Sequence, residues 1–431
     1  MQEFKEPKPN AVVTSMCKVI LPFWLRLKEH LSISVRGTQQ DIDAFSRSSR
    51  AVVLLNHPDR QDPFVIFELA NKMHEEFYCI AARECFDWDD GWRGWLFQSL
   101  GCYSVARGKA DFHSIATTKK VLREGRRKLL VFPEAEITAD ESTLHELHKA
   151  IFHIALSVQK ELSNNASVDP DNQVRLIPAA IRFSLDTELE SAVGPALQRM
   201  EESLELSAAE NATVFVRIDA VVNAYLSLVF EVYDLQKPQA SQQQLAEFLS
   251  VEILHKIATN IGMTWDVSLS PTEQLYAIRN TVAGNTDIDT VAVRPNVFQC
   301  AGIANPCLIS DLERIERLLI MHRMLEHPSS EIQCCRILDF IECELYGTIT
   351  PKGWQSAVIL LGTPIEVSSF VDHFSVSKED GVERLSEHFK GKLQGMLMDK
   401  SLLNAAGTHE SAQHDAHIAQ VSLESLKKNS S

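Results

Sequence analysis

One histidine and one aspartate are spaced so that they could share a proton. His57 follows the apolar run Ala51–Leu55, and Asp62 comes five residues after it. A strand that runs into a histidine places the imidazole at the strand's carboxyl end, which is the edge where α/β sheets bind ligands. There the imidazole could take a proton from a substrate hydroxyl while the carboxylate fixes its tautomer and stabilises the imidazolium. The sequence therefore predicts general-base chemistry on a hydroxyl that the substrate supplies.

The same pair also has a purely structural interpretation. Asp62 followed by Pro63 is the pattern of a helix N-cap and first helical residue, with no catalysis implied. In a chain with 15 histidines, one His-x4-Asp pair is expected about once by chance. The pair by itself does not decide between the two interpretations.

Three further segments each lie at or just after a predicted strand. They are Gly101–Arg107 (GCYSVAR), Val131–Glu136 (VFPEAE) and Leu176–Ile181 (LIPAAI). In this order after Asn56-His57, they resemble the four blocks of the glycerolipid acyltransferase superfamily, typified by 1-acyl-glycerol-3-phosphate acyltransferase. Those blocks are NHxxxxD, a Gly-to-Arg block, FPEG, and an apolar block around proline. The resemblance covers about residues 50–185.

The resemblance implies an O-acyltransferase with roles for named residues. His57 would be the general base and Asp62 its partner in the attack of a lysolipid hydroxyl on an acyl thioester. Arg107 and Glu134 would bind the phosphate and glycerol of the acceptor, and the planar arginine fork suits two phosphate oxygens. The structural alternative for Arg107 is a surface ion pair, and that for Glu134 is an acidic side chain in a loop. The other block residues expected at the substrate site are Asn56, Gly101, Phe132, Pro133 and Pro178.

The third block departs from the family pattern. Ala135 occupies the position of the family glycine, and Ile137 and Thr138 follow where polar or basic residues often stand. If the backbone at Ala135 requires a positive φ, alanine strains it. The departure bears on acceptor binding more than on catalysis, because His57 and Asp62 are intact. It is compatible with a changed acceptor.

Short apolar runs alternate with segments of helical periodicity over the first half of the chain. This alternation predicts an α/β fold. The resemblance implies an acyltransferase-like mixed sheet flanked by helices, and the loss of strand signal from about residue 221 predicts a largely helical insertion or second domain. Capping boxes at Ser310 and Ser330 favour a helical hairpin. The predicted strands are Ala51–Leu55, Phe77–Ala81, Cys102–Val105, Leu129–Phe132, Leu176–Ile181, Thr213–Ile218 and Trp354–Leu361. The predicted helices include Pro63–His74, Lys109–Gly125, Glu141–Leu162 and about 379–399.

Five parts are expected along the chain. They are an N-terminal amphipathic segment (1–40), an acyltransferase-like α/β core (41–220), a mainly helical insertion (221–350), a return to the core (351–403) and a polar flexible tail (404–431).

Two segments predict contact with a membrane surface. Residues 11–29 carry apolar clusters beside basic residues, although Pro22 interrupts the helical pattern. Residues 105–128 carry eight Lys/Arg against two acidic residues, a local charge of +6 that could attract a phosphorylated acceptor or anionic lipid. A helix packed on the core and an ordinary solvated helix face are the respective alternatives.

Composition limits the class of protein. The 431 residues are 45 % hydrophobic and 23 % charged, as in a globular protein, and the net charge of −16 disfavours nucleic-acid binding. Nine cysteines without a CxxC pair indicate reduced thiols. No apolar run is long enough to span a membrane. The protein is therefore expected in the cytoplasm, peripherally associated with a membrane.

The expected function is transfer of a fatty acyl group from acyl-CoA or acyl carrier protein to the hydroxyl of a lysophospholipid such as 1-acyl-glycerol-3-phosphate. This chemistry requires no metal and no cofactor. The alternatives are a non-catalytic lipid-binding scaffold on an acyltransferase fold, and a thioester hydrolase that passes the acyl group to water.

Overall fold

Eight strands build one sheet in the computed structural model of the chain. They are β1 (Leu31–Arg36), β2 (Ala51–Leu55), β3 (Phe77–Ala82), β4 (Cys102–Val105), β5 (Lys128–Val131), β6 (Arg175–Leu185), β7 (Gln355–Leu361) and β8 (Ile365–Glu366). Their order is β1-β7-β6-β2-β5-β3-β4, with β8 also paired to β6. The strands β2 to β6 are parallel to one another, whereas β7 and β8 are antiparallel to β6. The predicted fold class, a mixed sheet flanked by helices, is confirmed.

The chain divides into two compact units, Met1–Leu397 and Met398–Ser431, and the sheet and the candidate site belong to the first. The structure describes residues 3–87, 91–164, 172–207, 212–283, 311–326 and 330–399.

Helices cover both faces of the sheet and form a second apolar core. The described residues contain α1 (Ala11–Trp24), α2 (Gln39–Arg47), α3 (Asp62–Lys72), α4 (Trp92–Ser99), α5 (Phe112–Glu124), α6 (Ala150–Asn164), α7 (Leu189–Ser203), α8 (Val214–Val232), α9 (Gln242–Asn260), α10 (Pro271–Ala283), α11 (Asp311–Glu326), α12 (Glu331–Tyr346), α13 (Val371–Val376) and α14 (Lys378–Met398). The elements α1 to α4 pack on one face of the sheet, and α5, α6 and α14 pack on the other. The helices α7 to α12 share a separate apolar cluster.

The central strand β2 positions the candidate site. All five of its residues are buried, as expected for a strand covered on both faces, and they alternate between the two helical layers. Its neighbour β5 runs parallel, with Leu54 in register with Val131. The carboxyl ends of the two strands therefore meet at one edge, which brings the segments after Leu55 and Val131 together.

Two of the predicted elements are wrong. Thr213–Ile218 is not a strand but the start of α8, because its apolar residues continue at helical spacing through Val229 and pack on α7 and α9. Residues 141–149 are not helical, and α6 begins only at Ala150. In that stretch the backbone N–H groups of Leu144, His145 and His148 bond Gln394, Glu134 and Pro133 instead of carbonyl groups of the same segment.

The helix α1 continues through Pro22, contrary to the expected interruption. A proline removes the bond to the carbonyl four residues earlier, here that of Lys18. The side chain of Asn71 donates to this carbonyl at 3.0 Å and so replaces the missing bond. The chain then makes a five-residue π-helical turn, Leu25–Glu29, that ends at His30 with φ 49°.

The remaining predictions either agree with the structure or concern residues that it does not describe. Ser330 caps α12, and β7 and α14 agree with the predicted strand and helix. The strands β1 and β8 have no counterpart in the prediction. Ser310 and the tail 404–431 lie outside the described residues, and the five domain boundaries stay predictions. In the described part of the chain, no helix is long and apolar enough to cross a membrane.

Candidate active site

His57 and Asp62 form a hydrogen-bonded pair at the carboxyl end of β2. The Nδ1 atom of His57 lies 2.7 Å from Oδ2 of Asp62. The aspartate side chain is fully buried at the start of α3, whereas the imidazole is 16 % exposed. Because Nδ1 is committed to the carboxylate, Nε2 is the ring nitrogen that can act on a substrate. The residues predicted to be base and partner are thus brought together.

The environment of Asp62 keeps its carboxylate close to protonation. Burial raises the pKa of Asp62 to about 6, against the opposing hydrogen bond from His57. Its Oδ2 also accepts the backbone N–H of Asp59 at 3.0 Å, whereas Oδ1 is buried with no hydrogen-bond partner among the described residues. The carboxylate that His57 contacts therefore loses its proton only near pH 6.

The segment after β5 fixes the imidazole from the other side. The ring of Phe132 stacks on His57 at 4.1 Å between centroids and 17° between planes. Glu134 is buried, and its Oε2 accepts the backbone N–H of His57 at 2.8 Å. Its Oε1 accepts the N–H of His145 at 2.8 Å. Burial raises the pKa of Glu134, and these two backbone bonds partly counter it. Both oxygens of the predicted acceptor-binding carboxylate thus already have partners within the chain.

Asn56 joins the end of β2 to β6. Its side-chain amide donates to the carbonyl of Ile181 at 2.9 Å, and its oxygen accepts the N–H of the same residue at 2.7 Å. Pro178 lies earlier on β6, between the residues that pair with β7 and those that pair with β8, where the missing N–H breaks no ladder bond on that side. Pro133 is buried, and its carbonyl accepts the N–H of His148 at 2.8 Å.

Gly101 lies at the opposite edge of the sheet from His57, since it precedes β4. Its φ is +95°, and a Cβ there would stand 2.7 Å from the carbonyl oxygen of Phe77. Only glycine fits this approach. The first residue of the Gly-to-Arg block therefore shapes the sheet, and Arg107 at the block's other end lies near the site.

Ala135 has a left-handed backbone, with φ 59°. The strain expected if this position needed a positive φ is therefore present. The turn holds because the N–H of Ala135 bonds the carbonyl of Phe132 at 3.0 Å, while Thr138 N–H bonds the carbonyl of His57 at 2.8 Å. The departure from FPEG is accommodated without loss of the turn.

A cavity of about 1600 Å³ opens beside the histidine. His57, Arg107 and Phe132 are the predicted site residues that line it, and the other predicted residues lie outside its wall. Apolar side chains from α1, α3 and α4 form one side, including Leu21, Trp24, Phe64, Phe67 and Leu96. Residues of α10, α11 and α12 form another side. The helical segment, by which we mean α7 to α12, therefore contributes directly to the cavity. Its size and apolar character suit an acyl chain.

Arg107 sits in a four-residue ion-pair cluster on the cavity wall, which we call the quartet: Glu84, Arg107, Arg279 and Glu316. Arg107 bonds Glu84, lies 3.0 Å from Glu316, and stacks over the ring of Tyr276 at 4.5 Å. Arg279 on α10 bonds the same two carboxylates, each at 2.8 Å. Burial alone would lower the pKa of Arg107, but Glu316 and Glu84 outweigh it and raise that pKa.

The residues that sequence reasoning missed come mainly from the helical segment. Arg336 of α12 bonds Asp59 in the loop between His57 and Asp62, and Arg323 of α11 pairs with Glu136 at 2.9 Å. No short motif contains these residues, and only a buried charge within an apolar helical stripe could have drawn attention to Arg336. Among the described residues, no cluster of three or more His, Cys, Asp or Glu side chains is arranged to hold a metal ion.

Comparison with known proteins agrees with this geometry. Residues 36–182 match the model of the family described as Acyltransferase. No curated protein matches the chain. The matched range runs from the end of β1 into β6 and contains His57, Asp62, Arg107 and Glu134. The similarity to the Acyltransferase family therefore covers residues 36–182, the part of the chain that holds the His57–Asp62 pair.

Proposed function

We propose that this protein transfers a fatty acyl group from the thioester of acyl-CoA or acyl carrier protein to the hydroxyl of a lysophospholipid. The observation that carries the proposal is the cavity-lining imidazole of His57, bonded through Nδ1 to a buried Asp62 within an acyltransferase domain. The cavity beside it has the volume and the apolar walls that an acyl chain needs.

The proposed reaction uses one base and one nucleophile from the substrate. Nε2 of His57 takes the proton of the acceptor hydroxyl as its oxygen attacks the thioester carbonyl carbon. The tetrahedral intermediate then breaks its C–S bond, and the leaving thiolate takes the proton from the imidazolium. The products are an ester and a free thiol, and Asp62 stabilises the imidazolium between the two steps.

The proton transfers by His57 do not involve Arg107 and Glu134, which were expected to bind the phosphate and glycerol of the acceptor. Both side chains already bond other residues of the chain, Arg107 in the quartet and Glu134 to two backbone N–H groups. We propose that Glu134 and Asn56 act by positioning His57, since both fix the end of β2.

We also propose that α1 brings the cavity to a membrane surface. Its apolar side chains Val12, Met16, Val19, Ile20 and Phe23 are each more than half exposed and recur at helical spacing. The neighbouring α4 adds exposed Trp92 and Trp95. Ile20 and Trp92 also line the cavity, so an apolar surface borders its opening. The basic residues of α5 lie in the layer on the other face of the sheet, which makes α1 the better candidate for contact.

The test is thiol release from palmitoyl-CoA, with and without a lysophospholipid and with the lipid products separated. Acceptor-dependent release by the wild type, lost by about 10²–10⁴-fold in His57→Ala, is the expected result. His388→Ala, an exposed histidine on α14, is the matched control and should retain activity. Acceptor-independent release of fatty acid would instead indicate a hydrolase, and lipid binding without any release a scaffold.

A further inference from the structure

In the quartet, two glutamates neutralise the two arginines that a phosphate monoester would need as its cationic site. Two guanidinium groups and two carboxylates alternate, so that each arginine contacts both glutamates and the net charge of the quartet is zero. Burial would raise the pKa of Glu316, but Arg279 and Arg107 outweigh it and lower that pKa to about 2. Arg107, Arg279 and Glu316 are therefore ionised at neutral pH.

The acidic side chains of the quartet are more exposed than its basic side chains. The side chains of Glu84 and Glu316 are 29 % and 34 % exposed, whereas those of Arg107 and Arg279 are 14 % and 16 % exposed. All four line the cavity. A ligand in the cavity can therefore contact the carboxylates as well as the guanidinium groups.

Other arginines of the cavity wall are paired in the same way. Their partners are carboxylates: Arg60 with Asp339, Arg127 with Glu76, Arg317 with Glu344 and Arg323 with Glu136. A dianionic head group would have to separate such a pair and leave a carboxylate without its cation in a poorly solvated site. A head group that carries its own cation imposes no such requirement.

We propose that the lysophospholipid acceptor has a zwitterionic head group, an ammonium joined to a phosphodiester, and that the quartet selects it against phosphate monoesters. The ammonium would lie toward Glu84 and Glu316. The inference rests on the proposed acyl transfer and narrows its acceptor. The quartet joins the acyltransferase domain to α10 and α11, so the helical segment takes part in this selection.

The experiment compares lysophosphatidylcholine with lysophosphatidic acid of the same acyl chain, with palmitoyl-CoA as donor and the wild-type full chain. We expect kcat/KM for lysophosphatidylcholine to exceed that for lysophosphatidic acid by about tenfold or more, the ratio that one lost charge contact commonly produces. Equal or greater use of lysophosphatidic acid would overturn the inference and leave acyl transfer standing. No transfer to either acceptor would overturn both.

Glu84→Gln/Glu316→Gln tests whether the quartet is responsible. Glutamine keeps an oxygen that can accept bonds from the arginines, but it leaves their two positive charges uncompensated. We therefore expect the kcat/KM ratio of the two acceptors to shift toward lysophosphatidic acid by about tenfold. Glu313→Gln makes the same kind of change in the same cavity, on the same helix as Glu316, and should leave the ratio unchanged. Thermal unfolding checks that each variant folds. An unchanged ratio in the folded double variant, or an equal shift in Glu313→Gln, would overturn the role of the quartet.

Discussion

The Nε atom of Arg336 donates to Oδ2 of Asp59 at 2.5 Å, which joins α12 to the loop between His57 and Asp62. Asp59 in turn donates its backbone N–H to Asp62. A second nitrogen of Arg336 bonds Glu141 at 2.7 Å. A helix that lies outside the matched acyltransferase range thus reaches Asp62, the partner of the proposed base, through two consecutive hydrogen bonds.

We expect Arg336→Met to lower both stability and turnover. The change leaves two buried carboxylates without their cation, which costs about 3–5 kcal/mol of unfolding free energy. It also loosens the loop that orients His57, so kcat should fall more than acceptor KM rises. Urea unfolding and steady-state kinetics measure the two effects.

The controls for Arg336 separate position from charge. Arg336→Lys keeps the charge but not both bonds, and it should restore part of kcat. Arg384→Met removes an exposed arginine that pairs with Asp380 on α14, and it should change neither quantity. Normal kcat in a destabilised Arg336→Met would limit Arg336 to a structural role.

The pH dependence of acyl transfer should follow Asp62. Only the ionised carboxylate stabilises the imidazolium, and burial raises the pKa of Asp62 to about 6. We therefore expect kcat/KM to fall as pH decreases below about 6, with up to about tenfold loss per pH unit for a single proton. A pH–rate profile measures this, and Asp62→Asn should show low activity without that inflection.

The same carboxyl group should lower stability as pH rises. Its pKa in the folded state exceeds the unfolded value of about 3.9, so the folded state holds the extra proton between these pH values. Its stabilising contribution is present below about pH 4 and is lost as pH rises through about 6. Asp62→Asn should therefore gain stability relative to the wild type between pH 4 and 7, as measured by urea unfolding. A constant difference over that range would contradict this.

Ala135→Gly should be neutral or stabilising, although glycine substitutions usually destabilise. The left-handed backbone costs an L-residue about 1–2 kcal/mol, which glycine avoids, against an entropic loss of about 0.5–1 kcal/mol. A net gain between zero and about 1.5 kcal/mol in unfolding free energy is expected. Ala116→Gly, on the exposed side of α5, is the control and should lose about 1 kcal/mol. Equal losses in both would exclude strain at Ala135.

Replacing exposed apolar residues of α1 by charged residues should weaken membrane binding. Val19 and Phe23 are 66 % and 54 % exposed, and burying each in lipid would contribute about 1.5–3 kcal/mol. We expect the wild type to float with vesicles of phosphatidylcholine and phosphatidylglycerol. The double variant Val19→Asp/Phe23→Asp should remain largely in the bottom fraction of the gradient. Phe112→Asp changes a phenylalanine on α5 that is 77 % exposed, and this variant should float normally. Flotation of the double variant would remove α1 from the proposed contact.

Local signals carried much of the prediction. The strands β2 to β5 were predicted within a residue or two because each is a short apolar run bounded by turn residues. The strand β1 was missed because its apolar residues alternate with polar ones, LSISVR, and so form no continuous apolar run like those of β2 to β5. Thr213–Ile218 was misassigned because β-branched residues favour a strand locally, and only the packing of α8 on its neighbours decides for a helix.

The sequence by itself determined the His57–Asp62 pair, because a strand end and a helix start five residues apart leave the two side chains few other arrangements. The partners of Arg107 were decided only by the tertiary structure. Glu84 and Glu316 stand 23 and 209 residues away, and no periodicity relates them. Burial makes an arginine and a carboxylate find each other wherever the fold brings them together, so the charge that the cavity presents depends on the packing of α10 and α11 against the sheet.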